Sequence, residues 1–157
     1  MQKVTPWLLF NGTAEEAAKF YVSLLPDSRI DHLTRAPADS PSGPAGMVIV
    51  VEFTLGGTKF FGLNGGSKCM FTEGFSFQVA CDDQAEVDRL WNALTSNGGS
   101  ENVCGWLKDR YGMSWQITPR RLSELMQNPD RERAKRTMQA MMKMKKIDIA
   151  ELERAAE

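Results

Sequence analysis

The chain has 157 residues, of which 42% are hydrophobic and 25% are charged, and it carries a net charge of −1 at pH 7 with a pI near 5.9. This length allows one domain or two small modules that share a core, and the near-zero net charge gives no reason to expect nucleic acid or an anionic membrane as a partner. The opening apolar run is too short for a signal peptide, and no segment approaches the roughly 20 apolar residues of a membrane span. We therefore expect a cytoplasmic globular protein with no nucleic-acid and no membrane partner.

Three cysteines, Cys69, Cys81 and Cys104, are far apart in the sequence. An odd number of widely spaced cysteines argues against a disulfide framework and against a CxxC metal site. Reduced thiols are the expectation.

The first part of the chain predicts one strand, one helix and then three strands. Residues 4–10 form a compact apolar run typical of a buried strand. Thr13 and Glu16 follow at the spacing of a capping box, in which each side chain closes a free amide at a helix start. An amphipathic helix is expected from there until Pro26. Three strands are then predicted at residues 28–36, 47–55 and 58–63, with a Gly-Gly turn between the last two.

The same order of elements begins again near residue 74. A strand is predicted at residues 74–81, followed by Asp83 and Glu86 at capping-box spacing and by a second amphipathic helix. A shift of 70 positions takes Thr13 to Asp83 and superimposes the apolar stripes of the two helices. The same shift pairs residue 7 with residue 77 in the strands. A register held through strand, cap and helix indicates an internal repeat.

The repeat predicts two tandem βαβββ modules. We expect a single domain in which the first module covers residues 1–66, the second covers residues 72–119, and residues 120–157 form a C-terminal helical extension.

The second module ends in a predicted hairpin at residues 104–119, CGWLKDRYGMSWQITP, with its turn at Tyr111-Gly112. Its last strand alternates between a polar row and an apolar row: Ser114, Gln116 and Thr118 against Met113, Trp115 and Ile117. The polar row is a candidate wall of a cleft, although a solvated sheet face has the same pattern.

The extension is predicted to be helical. A short helix at residues 122–127 is followed by one capped by Asn128 and a last one near Asp148. The middle helix has a predicted apolar face of four residues: Ala134, Met138, Met141 and Met142. Basic residues are frequent here, but no aromatic residues interleave with them, so a solvated face is favoured over a phosphate-binding patch.

Five segments resemble the PhnB-like family, often labelled demethylubiquinone methyltransferase-like: TPWLLFNGTAEEAAKFY, FFGLNGG, SFQVACDDQAEVDRLW, CGWLKDRYGMSWQITP, and a tail that combines NPD with MMKMKKIDI. That family is similar to glyoxalase I, bleomycin-resistance proteins and extradiol dioxygenases, the vicinal oxygen chelate superfamily. The resemblance implies an α+β fold in which the two modules form curled mixed sheets around a concave cleft, with C-terminal helices added. It also implies a homodimer.

In metal-dependent relatives of that superfamily, His and Glu from the first and last strands of each module hold a divalent cation. The positions that the resemblance makes comparable are Thr5, Phe61, Phe75 or its neighbour Ser76, and Gln116. Aromatic carbons, a hydroxyl and an amide supply neither an imidazole nitrogen nor a carboxylate for Zn, Fe or Ni. We therefore predict no metal and no other cofactor.

Two other residues are candidates for chemistry. His32, the single histidine, has no His, Cys or acid at ligand spacing, so a surface or structural role is favoured over a metal or general-base role. Cys104 is a possible nucleophile beside Lys108, but no second histidine is present to act as a base.

A small ligand in the cleft is the more general expectation. Asn64 and Gln116 are polar candidates for orienting it, with Trp7, Trp106 and Trp115 as apolar walls, although packing between sheet and helix is an equal alternative for each Trp. The full set of candidate ligand-binding residues is Thr5, Trp7, Phe61, Asn64, Phe75, Cys104, Trp106 and Gln116.

Three functions remain open at this point. The first is a metal-free, homodimeric module that binds a small molecule, with the Met-bearing helix covered by a second subunit. The second is a metal-dependent enzyme of the glyoxalase or dioxygenase type. The third is the methyl transfer in the family label, although the strand-to-helix turns NGTAEE and CDDQAE lack the Gly-rich pattern of a Rossmann cofactor site.

Overall fold

The computed structural model describes residues 2–66, 68 and 70–157, so the prediction for Cys69 lies outside the described residues. The chain divides into two compact units, Met1–Met70 and Phe71–Glu157. Each contains one four-stranded mixed sheet, which confirms the α+β class. Among the described helices none is long and apolar enough to cross a membrane.

The first unit has the predicted strand, helix and three strands. Its elements are β1 (Trp7–Phe10), α1 (Ala14–Leu24), β2 (Arg29–Arg35), β3 (Val48–Leu55) and β4 (Thr58–Asn64). The sheet order is β1-β4-β3-β2, with β1 parallel to β4 and the other pairs antiparallel. The core lies between α1 and the sheet, where Tyr21, Val51 and Phe53 are fully buried.

The second unit repeats this order. Its sheet elements are β5 (Ser76–Cys81), α2 (Gln84–Thr95), β6 (Ser100–Glu101), β7 (Trp106–Lys108) and β8 (Ser114–Pro119). The sheet order is β5-β8-β7-β6, and β5 runs parallel to β8 as β1 does to β4. The βαβββ repeat predicted from the sequence is therefore confirmed.

The repeat shift of 70 holds for the helices and is wrong for the first strands. Ala17 of α1 and Val87 of α2 are both fully buried, as the shift requires. In the strands, however, Trp7 is 54% exposed whereas Phe77 is 8% exposed. Side chains alternate between the faces of a strand, so a pairing that is wrong by one residue reverses the face.

The reason is one additional residue in the first strand-to-helix loop. Three residues separate β1 from α1, whereas two separate β5 from α2. Gly12, in the longer loop, has φ +84°, a left-handed conformation that glycine adopts without steric cost. The strands therefore correspond at a shift of 71, which places Trp7 with Gln78.

A side-chain cap forms at only one of the two predicted capping boxes, and there the Glu86 carboxylate accepts from the Asp82 amide and not from the Asp83 amide. Asp83 accepts from the Glu86 amide at 2.8 Å, as predicted. Thr13 makes no side-chain capping bond, and the Ala14 amide instead donates to Oδ1 of buried Asn64 at 2.9 Å. A side chain distant in sequence has thus replaced the local cap.

The hairpin strand predicted from Cys104 begins two residues later. Cys104 and Gly105 have φ +58° and +80°, outside the strand region. Their amides donate to the carbonyl oxygens of Met144 and Lys145, each at 2.8 Å, so this edge bonds the extension.

The extension forms α3 (Arg120–Met126), α4 (Arg131–Met141) and α5 (Ile149–Ala156). The cap of α4 is Asp130, which accepts from two amides of the first turn; the prediction of Asn128 was wrong because that side chain bonds the Asp130 amide instead. The helices and the segment between α4 and α5 share one hydrophobic core. Its buried residues are Leu122, Leu125, Met144, Ile147, Leu152 and Ala156.

The predicted apolar face of α4 is only partly correct. Met141 packs against that shared core, but Met138 and Met142 are 41% and 60% exposed. Thr137 is the fully buried residue of the helix. Its hydroxyl donates to the Arg133 carbonyl oxygen at 3.0 Å, which satisfies the polar group inside the core.

Candidate functional site

The polar face of the second sheet carries three side chains in one row. Gln116 on β8 lies opposite Gln78 on β5 and opposite Trp106 on β7. Residues directly opposite each other point to the same face of a sheet. On β8, Trp115 and Ile117 of the predicted apolar row are fully buried, and Gln116 and Thr118 of the predicted polar row are half-buried. Ser114 departs from the prediction, because it is only 1% exposed.

The Gln116 amide is held by a neighbouring strand. Its Nε2 donates to Ser76 Oγ at 2.9 Å. Within the described part of the chain, no hydrogen bond to its Oε1 is present. One N–H of Nε2 is engaged, so the half-buried amide keeps its Oε1 acceptor and a second N–H donor for other partners.

Two helices of the extension border this face, and an open pocket of about 370 Å³ lies between them and the sheet. We call it the sheet–helix pocket. Its described lining consists of Gln78, Cys104, Trp106, Gln116, Thr118, Leu122, Ser123, Met126, Gln127 and Met141. Three of the candidate residues, Cys104, Trp106 and Gln116, therefore meet at one site.

Sequence reasoning missed Gln78 and the helical side of the pocket. Gln78 was detectable, because it stands two residues after Ser76 in a strand with a period of two. The contributions of α3 and α4 were not detectable, because they depend on how the helices pack on the sheet and not on any local pattern.

The remaining candidates lie elsewhere. Trp7 stacks on Phe61 with ring centroids 4.6 Å apart, on the sheet of the first unit. Thr5 precedes β1 and is half-buried. Phe75 precedes β5, is 45% exposed and makes an edge contact with Phe77 at 5.6 Å.

Asn64 has a structural position. It is 6% exposed; its Oδ1 accepts from the Ala14 amide at 2.9 Å, and its Nδ2 donates to the Val48 carbonyl oxygen at 3.0 Å. Both ends of the amide are engaged with the protein, so we leave Asn64 out of the site that we propose. Trp115 is likewise enclosed, since its Nε1 donates to Asp109 at 2.9 Å.

The residues that the sequence resemblance compares with metal ligands do not fit a divalent cation. Phe61 presents a ring stacked on Trp7, and Gln116 presents an amide bonded to Ser76. Among residues 2–66, 68 and 70–157, no three His, Cys, Asp or Glu side chains are grouped to hold a metal ion. His32 lies exposed on β2, at the edge of its sheet.

A second depression, of about 560 Å³, lies where α2 and α5 begin. Here Gln84 donates to the Ile147 carbonyl oxygen at 3.0 Å and accepts from the Ile149 amide at 2.9 Å. Arg121 bonds Glu153 at 2.8 Å. These bonds cross the depression and attach α5 to α2 and α3, so we assign these groups a structural role.

The family model described as 3-demethylubiquinone-9 3-methyltransferase matches residues 2–118. The PhnB protein of Bacillus cereus has a similar structure, with a TM-score of 0.68 and 35% sequence identity over 75% of this chain and 99% of that chain. A Pseudomonas aeruginosa protein shares the fold at a TM-score of 0.62 and 22% identity, over 76% of this chain and 98% of that one. A search of curated proteins found no significant match.

These matches confirm the resemblance seen in the sequence up to residue 118, and the extension lies beyond the family model. The chain belongs to the PhnB-like, 3-demethylubiquinone-9 3-methyltransferase family.

Proposed function

We propose that the unit Phe71–Glu157 binds a small, partly apolar molecule in the sheet–helix pocket. One observation carries the proposal: Gln116, anchored by Ser76, lines a pocket of about 370 Å³ and lies directly opposite the half-buried Trp106. A concave site with apolar walls and a few fixed polar groups is the usual form of a small-molecule site. The ligand places a donor on Gln116 and an apolar surface on Trp106.

Nuclear magnetic resonance with ¹⁵N-labelled protein tests this proposal. A library of neutral aromatic fragments is expected to shift the Trp106 indole and the Gln116 side-chain amide signals, while the buried Trp115 indole is the internal reference. The Gln116→Leu variant should lose about three- to tenfold in affinity, the value of one hydrogen bond. Gln139→Leu, an exposed glutamine on α4, is the matched control. Equal affinities in both variants, or no fragment that shifts the pocket signals, would overturn the proposal.

We do not extend methyl transfer from the family description to this chain. The turns that connect β1 to α1 and β5 to α2 contain three and two residues, and neither has the glycine-rich sequence that holds a dinucleotide-type cofactor. Calorimetric titration with S-adenosylmethionine checks this point, and saturable binding would restore that function. Metal-dependent catalysis of the glyoxalase type is likewise unsupported, because no three His, Cys, Asp or Glu side chains among the described residues are grouped to bind a metal ion.

We propose that the chain forms a homodimer through the exposed methionines at the C-terminal end of α4. Met138 and Met142 are 41% and 60% exposed, and thioether side chains adapt to a partner surface. Sedimentation velocity at micromolar concentration should show a dimer, and the double variant Met138→Lys, Met142→Lys should shift it to monomer. A monomeric native protein would contradict this.

We propose a cytoplasmic location, supported by the free thiols of Cys81 and Cys104, which suit a reducing compartment. We also propose that both modules and the extension form one domain. A single urea transition, followed by both tryptophan fluorescence and circular dichroism, is the expected result.

A further inference from the structure

We infer that the C-terminal helices make the sheet–helix pocket selective for uncharged molecules, and that Met126 and Met141 set the size of the apolar group it accepts. This inference rests on the proposed function of the same pocket. It adds the class of ligand and the residues that determine specificity.

The extension supplies half of the described lining. The family model ends at residue 118, and α3 begins at Arg120. Five of the ten described lining residues come from the extension: Leu122, Ser123 and Met126 of α3, Gln127 directly after it, and Met141 of α4. The polar row of β8 therefore belongs to the matched family region, whereas the opposite wall belongs to this extension.

The helical wall is fixed to the sheet. The amides of Cys104 and Gly105 bond the carbonyl oxygens of Met144 and Lys145, each at 2.8 Å, immediately after α4. Ile147 is fully buried, and Gln84 of α2 bonds its carbonyl oxygen at 3.0 Å. A wall held by backbone bonds and a buried anchor keeps its side chains at defined positions, which is what size selection requires.

The described lining carries no charged side chain. Among the described residues that line the pocket, the polar groups are carboxamides and hydroxyls, and the apolar groups are thioethers, a leucine and an indole, with one thiol. The carboxylate of Glu73 lines a neighbouring pocket across Cys104 and Trp106, where it lies 3.2 Å from Lys108 Nζ. That pair compensates itself, so neither group is a counter-ion for a ligand.

A charged ligand would have to give up hydration without a partner of opposite sign. Such desolvation costs more than the loss of water from a neutral amide or hydroxyl, which the carboxamides of Gln78 and Gln116 replace with hydrogen bonds. The chemistry of the wall therefore favours a neutral molecule with a donor group and a compact apolar part.

Three probes of nearly equal shape test the charge: benzamide is neutral, benzoate is an anion and benzamidine is a cation. Titration of the full-length protein at pH 7, followed by the Trp106 indole and Gln116 amide signals, should give benzamide at least about tenfold tighter than either charged probe. Equal or tighter binding of benzoate or benzamidine would overturn the inference.

Two methionine variants test the size. Met126→Ala and Met141→Ala each remove side-chain volume from the wall and so widen the pocket. The affinity ratio of 2-naphthamide to benzamide should therefore rise by at least about threefold in each variant. Met70→Ala, an exposed methionine outside the described lining, should leave that ratio unchanged. An unchanged ratio in both wall variants would overturn the role of the extension.

Failure of the inference is distinguishable from failure of the proposed function. If library fragments shift the pocket signals but the neutral probe has no advantage, the pocket binds ligands and the inference is wrong. If neither library fragments nor the three probes shift those signals, the proposed function is wrong and the inference falls with it.

Discussion

The Gln116 side chain donates from Nε2 to Ser76 Oγ at 2.9 Å, and this bond links β8 to its parallel neighbour β5. At the corresponding position of the first unit, Phe61 on β4 stacks on Trp7 of β1 at 4.6 Å. The two modules thus repeat the fold but not the chemistry: one has an oriented amide and the other an aromatic pair. Ser76 is therefore a positioning residue, since its hydroxyl anchors the Gln116 amide at the edge of the pocket.

Replacement of that hydroxyl tests the positioning role. In Ser76→Ala the amide loses its partner and is free to turn, so the affinity for benzamide should fall by about three- to fivefold. The midpoint of thermal unfolding should change little, because Ser76 is only half-buried. Ser100→Ala, an exposed serine on β6, is the control. Unchanged affinity in Ser76→Ala would show that the hydroxyl does not orient Gln116.

The two helix starts should respond differently to loss of the predicted cap. Asp83→Ala removes the bond to the Glu86 amide and should lower the free energy of unfolding by about 1 kcal/mol. Thr13→Ala should cost less than about 0.5 kcal/mol, because Thr13 makes no capping bond. Urea unfolding measures both, and equal losses would contradict the structure.

The cap of α1 should instead depend on Asn64. Asn64→Ala leaves the Ala14 amide and the Val48 carbonyl group without their partner, and the expected loss is about 2 kcal/mol or more. The same urea titration provides the measurement. A loss no larger than that of Thr13→Ala would assign the helix start to another group.

The sequence predicts the repeat because its signals are local. Hydrophobic periodicity, capping spacing and turn residues each lie within one element, and they place all the strands and helices of both modules within a few residues. The errors come from interactions between distant segments. Asn64 replaces Thr13 as the cap of α1, and the carbonyl oxygens of Met144 and Lys145 shorten the strand predicted at Cys104.

The candidate site divides in the same way. Gln116 and Trp106 were predicted because they stand in an alternating hairpin. Met126 and Met141 were not, because their place in the pocket depends on the packing of α3 and α4. The one-residue difference between the strand-to-helix loops also escaped the repeat analysis, since a shift chosen on two helices carries no information about the face of a strand.

Two glycines with similar backbone angles should differ in their tolerance of a side chain. Gly12 has φ +84° with open space around a Cβ, so Gly12→Ala should cost about 1 kcal/mol from the left-handed backbone alone. At Gly105, with φ +80°, a Cβ would lie 2.9 Å from the Ile117 carbonyl oxygen and 3.1 Å from Ile147 Cγ1. Gly105→Ala should therefore cost roughly 3 kcal/mol or more.

Urea unfolding provides the comparison, and hydrogen exchange of the Cys104 amide shows whether the contact with the extension has opened. Gly112→Ala, with φ +85° and open space, is a second reference inside the hairpin. Similar costs at all three positions would mean that the extension does not pack on Gly105.

The thiols of Cys81 and Cys104 should differ in reactivity. Burial raises the pKa of Cys81 from 9.0 to about 12, and its thiol is fully buried with a weak bond to the Val79 carbonyl oxygen at 3.8 Å. Cys104 is half-buried and lines the sheet–helix pocket. Because the thiolate is the reactive form, a Cys69→Ser variant should show one thiol that reacts with an aromatic disulfide reagent at pH 8 and a second that reacts only after denaturation.

The raised pKa of Cys81 also makes the stability of the folded protein depend on pH. The folded protein keeps the neutral thiol, so its stabilising effect is complete below pH 9, the ordinary value, and is lost as pH rises from there toward 12. Wild type should therefore lose stability relative to Cys81→Ala between pH 8 and pH 10, in urea titrations of the two proteins at each pH. A constant difference across that range, or equal reaction rates of the two thiols, would show that Cys81 is open to solvent. Either result would contradict its place at the buried end of β5, next to the start of α2.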